Sequence, residues 1–368
     1  MAPHGGLQDF HQLMRHRIMD ILLVASPYDS FVLEEAGQIG ERVAGEFRNL
    51  DLHYGPGLTT VSSGEEALAL VREPSRFNLI VSGLSLGDMN GAALARRIEA
   101  LGLEIPVVLL AFDAREVKTF AAHHDLSAVE KVFLWQGDAR ILLAIVKYVE
   151  DRRNVVHDTR TMGVQVILVI EDNLRYYSSF LPVIYGELLL QSRRLVSEAV
   201  NVSDKIMRMR ARPKILLCGS YEEAWEVFSH FEEDVLGVIS DIEFPSDGEL
   251  SDTAGLDFAR QVRVDWPDVP VLLQSSNPAA AAAAARVGAT FLLKGSATLL
   301  ADLRRFMIDY FGFGDFVFRQ PNGAMVSTSH ARMTSGSGNS DTLRGRSSSA
   351  SANSVRALSH LEKWLRSA

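Results

Sequence analysis

The sequence predicts an α/β fold in which one strand-and-helix pattern occurs twice. Short apolar runs without polar alternation, such as residues 20–25 and Val166–Ile170, are typical of strands buried on both faces of a parallel sheet. Segments with the helical spacing of apolar residues separate these runs. Because the pattern restarts at Val164 after about 145 residues, we predict two doubly wound α/β domains with right-handed crossovers.

The first copy contains five predicted strands with helices between them. The polar stretch 151–163 is interpreted as a linker, so the first predicted domain covers residues 18–152. The predicted strands are 20–25, 58–61, 77–81, 105–110 and 132–135, and the predicted helices are 31–48, 63–72, 92–101 and 139–149.

The second copy repeats this order and is predicted to cover residues 164–314. It differs from the first in a long helix-friendly region, 174–209, after its first strand. An amphipathic helix of this length either packs on its own domain or offers a surface to a partner or a second subunit. The other predicted strands are 214–217, 235–240, 271–273 and 290–293, and the other predicted helices are 221–231, 253–264, 278–287 and 298–311.

The composition indicates a soluble protein of a reducing compartment, which we expect to be cytoplasmic. A net charge of −9 argues against a general nucleic-acid binder. The single cysteine, Cys218, excludes disulfides and thiolate metal clusters within the chain. No apolar run reaches the roughly 18 to 20 residues that span a bilayer, and the first residues lack a signal-peptide core. We therefore expect neither a membrane nor a nucleic acid among the partners.

Polar and charged residues follow four strands of the second copy, where parallel strands present their carboxyl ends to ligands. Glu171 and Asp172 follow the first strand, Asp241 the third, Ser275 the fourth and Lys294 the fifth. Clustered carboxylates need a cation, and oxygen ligands without His or Cys suit Mg²⁺. The lysine and the hydroxyl can hold phosphoryl oxygens, and the central aspartate can act as a carboxylate nucleophile.

These five residues, in this strand order, resemble the receiver domain of two-component response regulators. The resemblance covers residues 164–314 and implies flavodoxin-like domains with five parallel strands in the order 2-1-3-4-5. It implies that Asp241 accepts a phosphoryl group from a histidine kinase or a phosphotransfer protein, and that Ser275 and Lys294 bind the acyl phosphate. The acid pair and Asp241 would hold Mg²⁺ together with the backbone carbonyl of Glu243. Such a protein signals through protein contacts and is no enzyme beyond an autophosphatase activity.

Three departures from the receiver pattern leave an alternative open. Gly295 follows the lysine where the family usually has proline, the loop after Asp241 is longer and acidic, and the first helical region is enlarged. The alternative is a receiver-like binding scaffold that is not phosphorylated. A hydrolase of the haloacid-dehalogenase type is disfavoured, because neither Asp172-Asn-Leu174 nor Asp241-Ile-Glu243 gives the Asp-x-Asp that this class needs.

The first copy resembles a receiver in pattern but lacks its reactive groups. We therefore interpret it as a pseudo-receiver that cannot be phosphorylated, with Asp29 and Asp88 in loops too far away to substitute. The acid pair, the phospho-acceptor, the hydroxyl and the lysine are replaced by Ala25-Ser26, Gly83, Ala111 and Trp135, respectively.

The C-terminal residues 315–368 form a tail rich in Ser, Gly and Arg, which we expect to be mostly disordered. A strand or turn is predicted within 315–326. Residues 354–365 could form a short amphipathic helix whose apolar face needs a partner, so a downstream protein or a homodimer is expected to use it.

Overall fold

The computed structural model describes residues 13–35, 55–72, 76–197, 212–311, 317–319 and 325–328. Its described residues form two compact units. The first comprises those of Met1–Val164 and Asn173–Arg212, and the second comprises Gln165–Asp172 and those from Pro213 onward. The predictions for 36–48, for the tail from 329 onward and for the helix 354–365 fall outside the described residues.

The first unit contains the predicted five-stranded parallel sheet. Its strands are β1 (Asp20–Val24), β2 (Gly57–Val61), β3 (Leu79–Ser82), β4 (Val107–Ala111) and β5 (Lys131–Leu134), in the spatial order 2-1-3-4-5. The helices are α1 (Pro27–Glu35), α2 (Gly64–Arg72), α3 (Gly91–Ala100), α4 (Ala114–His123) and α5 (Arg140–Met162). Because β3 and β4 are buried along their whole length, their continuous apolar sequences are explained by helices on both faces of the sheet.

The second unit repeats the same sheet order. Its strands are β6 (Val166–Ile170), β7 (Lys214–Cys218), β8 (Val235–Asp241), β11 (Val271–Ser275) and β12 (Thr290–Leu293), arranged as β7-β6-β8-β11-β12. The helices are α7 (Tyr221–His230), α8 (Ala254–Asp265), α9 (Ala280–Arg286) and α10 (Leu299–Phe311). The predicted flavodoxin-like fold class is thus confirmed for both copies.

The acidic segment after β8 contains a β-hairpin that the sequence did not predict. Strands β9 (Phe244–Ser246) and β10 (Glu249–Ser251) pair antiparallel around a two-residue turn. Asp247 and Gly248 in this turn have φ values of 53° and 80°. These left-handed values suit an Asp-Gly hairpin turn. A second short antiparallel pair, β13 (Val317–Arg319) and β14 (Met325–Thr328), follows α10.

The helix that follows β6, α6 (Leu174–Ser197), belongs to the first unit. The hydroxyl of Tyr177 donates to the carbonyl of Val132 at 2.6 Å, and the Ser178 hydroxyl accepts from Leu134 N–H at 3.0 Å. Both backbone groups lie on β5, the edge strand of the first sheet. The helix therefore satisfies an open sheet edge as well as burying its apolar side chains. It packs on the first copy, although it follows the first strand of the second.

The interpretation of residues 151–163 as a linker is wrong. Helix α5 continues to Met162 and ends at Gly163, whose φ of 62° is the left-handed conformation of a helix C-cap. Several of its polar residues are buried and paired: Lys147 Nζ lies 2.6 Å from Glu150 Oε2, and Asp158 accepts a hydrogen bond from Met14 N–H at 3.0 Å. Among the described residues, no helix is long and apolar enough to cross a membrane.

The ion pair between Asp151 and Arg212 anchors this polar network. The two side chains are 0% and 1% exposed, and their closest approach is 2.7 Å. The hydroxyl of Tyr185 also donates to Asp151, at 3.2 Å. Burial alone would lower the pKa of Arg212, but the Asp151 carboxylate raises it, so the guanidinium stays charged. Burial raises the pKa of the Tyr185 hydroxyl well above its usual value, which keeps that hydroxyl a donor.

We expect Arg212→Met to destabilise the protein by about 3 to 5 kcal/mol, because the buried Asp151 carboxylate would lose the guanidinium that bonds both of its oxygens. The urea dependence of circular dichroism measures this loss. The double variant Asp151→Leu/Arg212→Met should recover most of the stability. The control Arg97→Met breaks an ion pair with Glu65 that is exposed to solvent, and it should change the free energy of unfolding by less than about 1 kcal/mol. Equal effects of the two single variants would contradict this account.

Candidate functional site

A buried lysine joins two carboxylates at the carboxyl edge of the second sheet. The Lys294 ammonium lies 2.6 Å from Glu171 Oε2 and 2.5 Å from Asp241 Oδ2. The side chains of Lys294 and Glu171 are each 2% exposed, and that of Asp241 is 10% exposed. Residues that follow β6, end β8 and follow β12 are thereby brought to one point, as the order of the strands predicts.

Three carboxylates converge at this point, and they fit a divalent cation. One carboxylate oxygen from each of Glu171, Asp172 and Asp241 lies within 4.8 Å of the others. Asp172 is exposed, whereas the other two are buried, so the group opens toward solvent on one side. The Lys294 ammonium contacts two of these three carboxylates, those of Glu171 and Asp241. A donor set made only of carboxylate oxygens suits Mg²⁺.

Ser275 ends β11 and is buried beside the lysine strand. The backbone N–H of Lys294 donates to the Ser275 carbonyl at 2.9 Å, which fixes the two residues next to each other. The Ser275 hydroxyl oxygen accepts a hydrogen bond from Asn277 N–H at 3.0 Å. Because its oxygen is the acceptor in this bond, the hydroxyl can still donate its own hydrogen to an anion.

The backbone around Asp241 fixes the orientation of its carboxylate. Asp241 Oδ1 accepts a hydrogen bond from Ile242 N–H at 2.7 Å, while Oδ2 contacts the lysine. The buried Ser240 hydroxyl donates to the Asp241 carbonyl at 2.6 Å. On the other side, a Cβ atom on Gly255 would lie only 2.1 Å from that carbonyl oxygen. Helix α8 therefore approaches the end of β8 as closely as only glycine allows.

The predicted fourth ligand, Glu243, lies two positions after Asp241 and has an exposed side chain. Its carboxylate is not one of the three that converge, and the contribution of its backbone carbonyl stays a prediction. The hairpin that follows is fixed by Glu222, which accepts a hydrogen bond from Asp247 N–H at 2.7 Å. This hydrogen bond lowers the pKa of Glu222.

Backbone hydrogen bonds show which residues of the first unit occupy the equivalent positions. Trp135 N–H donates to the Ala111 carbonyl at 2.7 Å, as Lys294 N–H does to that of Ser275. Ser82 Oγ donates to the Gly83 carbonyl at 3.0 Å, as Ser240 does to that of Asp241. The equivalences inferred from the sequence, with alanine at the hydroxyl position and tryptophan at the lysine position, are therefore the spatial ones.

The two loop aspartates of the first copy have separate positions. Asp88 accepts hydrogen bonds from Gly64 N–H and Glu65 N–H at the start of α2, so it is a helix cap. Asp29 lies in the first turn of α1, and its Oδ2 is 3.3 Å from the place where a Cβ on Gly83 would be. The Asp29 carboxylate thus lies closer to the phospho-acceptor position of the first unit than the sequence indicated. The position equivalent to Lys294 is nevertheless occupied by Trp135.

No protein-family model and no curated protein matches the chain. Among solved structures, it is similar to the signal receiver domain of an HD domain-containing protein from Pseudomonas fluorescens Pf-5, at 20% identity over 38% of this chain and 97% of that one, with a TM-score of 0.27. It is also similar to the phosphorylated cyanobacterial phytochrome response regulator RcpA, at 23% identity over 36% and 92% of the two chains, with a TM-score of 0.26.

A third similar structure is the BeF3-activated DrrB receiver domain, at 21% identity over 35% of this chain and 96% of that one, with a TM-score of 0.24. These identities and TM-scores are low. The evidence for a function therefore comes from the residues of the pocket themselves.

Gly255 is a pocket-forming residue that the sequence analysis missed. The internal repeat could have revealed it, because Gly91 occupies the same place in the first unit. A Cβ on Gly91 would lie 2.5 Å from the Gly83 carbonyl oxygen. We expect Gly255→Ala to cost about 1 to 3 kcal/mol, because the added methyl group displaces α8 from the end of β8. Thermal and urea unfolding measure this cost.

The matched control is Gly186→Ala in α6, where an added Cβ meets no atom within 4 Å. It should stabilise the protein by roughly 0.5 to 1 kcal/mol, since alanine is the better helix former. If Gly255→Ala is as stable as the wild type, the close approach of α8 to Asp241 is not a packing constraint.

Proposed function

We propose that this protein is a response-regulator receiver of two-component phosphorelay signalling, with Asp241 as its phospho-acceptor. The observation that supports this most directly is the buried Lys294 ammonium, which contacts the Asp241 and Glu171 carboxylates beside a third acid. Structural ion pairs rarely need a third carboxylate with an exposed side. A phosphoryl-transfer pocket needs all of these groups.

In this function the residues of the pocket divide into ligands of the cation and donors to the phosphoryl group. Glu171, Asp172 and Asp241 would hold Mg²⁺ through carboxylate oxygens, with the Glu243 backbone carbonyl as a further ligand. The bound ion would neutralise the acids and the charge of the phosphoryl oxygens. The Lys294 ammonium would bind one phosphoryl oxygen as a point charge. The Ser275 hydroxyl would donate a hydrogen bond to another phosphoryl oxygen.

The transfer itself is a displacement at phosphorus. A carboxylate oxygen of Asp241 attacks the phosphorus atom of a phosphohistidine on a kinase or phosphotransfer protein. The new P–O bond forms as the P–N bond breaks, and the electron pair of that bond returns to the imidazole nitrogen. The Ile242 N–H bond to Asp241 Oδ1 restricts the rotation of the carboxylate and so reduces the number of orientations from which it can attack.

The first copy (18–152) would then be a pseudo-receiver and the second copy (164–314) the receiver proper. The protein would be no enzyme beyond slow loss of its own phosphoryl group. Its output would be contacts with a downstream protein, and a homodimer is one form that such contacts could take. A receiver-like scaffold without phosphorylation is the competing function, and phosphorylation assays separate the two.

We expect acetyl phosphate with Mg²⁺ to add one phosphoryl group to the wild-type protein, as measured by intact-mass spectrometry. Chelation of Mg²⁺ and the variant Asp241→Asn should each abolish the adduct. The matched control is Asp247→Asn, which changes an exposed aspartate of the hairpin turn and should leave the adduct unchanged. A wild-type protein that gains no Mg²⁺-dependent adduct, with beryllofluoride also failing to bind, would falsify the phospho-acceptor proposal.

The pseudo-receiver proposal has its own readout. Peptide mapping after reduction with borohydride should locate the acyl phosphate at Asp241 alone, because the first unit has no lysine or paired acids at the equivalent positions. An adduct on Asp29 or on any other residue of the first unit would overturn this part of the proposal and leave the role of Asp241 untouched.

A further inference from the structure

Strand β11 contains a buried polar residue without an assigned role, Gln274. Gln274 is 1% exposed, and its buried side-chain oxygen Oε1 has no hydrogen-bond partner among the residues that the structure describes. A buried carbonyl oxygen without a donor costs about 1 to 3 kcal/mol, so it is uncommon in a native interior without a reason. The residue follows three apolar residues of its strand, Val271 to Leu273.

The sheet register places Gln274 in the same row as the acids of the pocket. Gln274 is the direct neighbour of Asp241 across the β8–β11 pair. On the other side of Asp241, Ile170 pairs with Ser240, so Glu171 is next to Asp241 in the same row. Neighbouring residues of parallel strands point to the same face of the sheet. The three side chains therefore extend from one face at one level.

The first unit shows what this row contains when the acids are gone. Val24 pairs with Ser82, and Ser82 pairs with Leu109, so Ala25, Gly83 and Leu110 form the equivalent row. Leu110 is 2% exposed. The fold thus accepts leucine at this position, and the polar amide occurs in the copy that has the carboxylates.

We propose that Gln274 is a positioning residue of the pocket, whose Oε1 accepts a hydrogen bond from the water shell of the divalent cation held by the three acids. This inference rests on the proposed function. Mg²⁺ keeps several waters when it binds to proteins, and each of these waters donates strongly to a nearby oxygen. The amide oxygen is neutral, so it accepts such a bond without adding a fourth negative charge. The unpaired acceptor is then a cost of the metal-free protein alone.

The test compares Mg²⁺ affinity and metal-free stability in Gln274→Leu. By isothermal titration calorimetry with Mg²⁺, we expect the dissociation constant to rise by roughly threefold to tenfold, the effect of one hydrogen bond. In EDTA, the thermal midpoint should rise by roughly 2 to 4 °C, because an unsatisfied acceptor is replaced by an apolar group. Gln274→Met keeps the length of the side chain, and we expect it to change the dissociation constant and the thermal midpoint in the same directions. Agreement of the two variants would show that the effects do not come from poor packing of leucine.

The control is Gln191→Leu, which removes a buried amide from α6 in the first unit and should leave the Mg²⁺ affinity unchanged. A merely structural Gln274 would alter the thermal midpoint without altering the affinity. If the wild type binds Mg²⁺ and both Gln274 variants bind it equally well, the inference is overturned while Asp241 remains the proposed acceptor. If the wild type binds no Mg²⁺, the proposed metal site itself is wrong.

Discussion

The second unit depends on one arrangement of buried charge, the Lys294 ammonium between the Glu171 and Asp241 carboxylates. Removal of these groups from water is costly, and their attraction compensates only when the geometry is close and the remaining donors and acceptors are satisfied. The distances of 2.5 and 2.6 Å meet that condition. The three residues come from strands β6, β8 and β12, and β11 lies between the last two. The register of the whole sheet therefore has to be fixed for the pocket to exist, since a slip by one residue would turn a side chain to the other face.

The same arrangement explains why the two copies differ at all their reactive positions together. A lysine at the position of Trp135 would lack the two acids that hold Lys294, because Ala25 and Gly83 stand at the positions of Glu171 and Asp241, and the carboxylate near Gly83 is that of Asp29 alone among these residues. An unpaired buried charge destabilises a domain by several kcal/mol, so partial sets are disfavoured. What the first unit keeps is the framework that needs no charge: the Ser82 hydroxyl bond and the close approach at Gly91. These two features occur in both units and support the fold, whereas the charged residues occur in the second unit and form the pocket.

The sequence was a good guide to the sheets and to the pocket for a simple reason. Parallel strands buried on both faces leave continuous apolar runs, and the residues after them must meet at one edge. Predictions from the sequence were wrong where polar residues are buried. Asp151 and Asp158 made α5 look like a linker, because their partners, Arg212 and the Met14 N–H, are distant in sequence. Likewise, no local pattern indicates that Tyr177 and Ser178 bond to the edge of a sheet that precedes them.

Gln274 illustrates how a pocket can be distinguished from the fold that carries it. A residue that serves folding satisfies its own polar atoms, as Ser240 does with the Asp241 carbonyl. In the role proposed for Gln274, its Oε1 would gain a hydrogen-bond donor only when the cation and its waters are bound. Two copies of one fold in one chain allow this comparison without a second protein, because Leu110 and Gln274 share a position in the register. Strand order and burial do not account for the difference between these two side chains, since both sheets have the same order and both positions are buried.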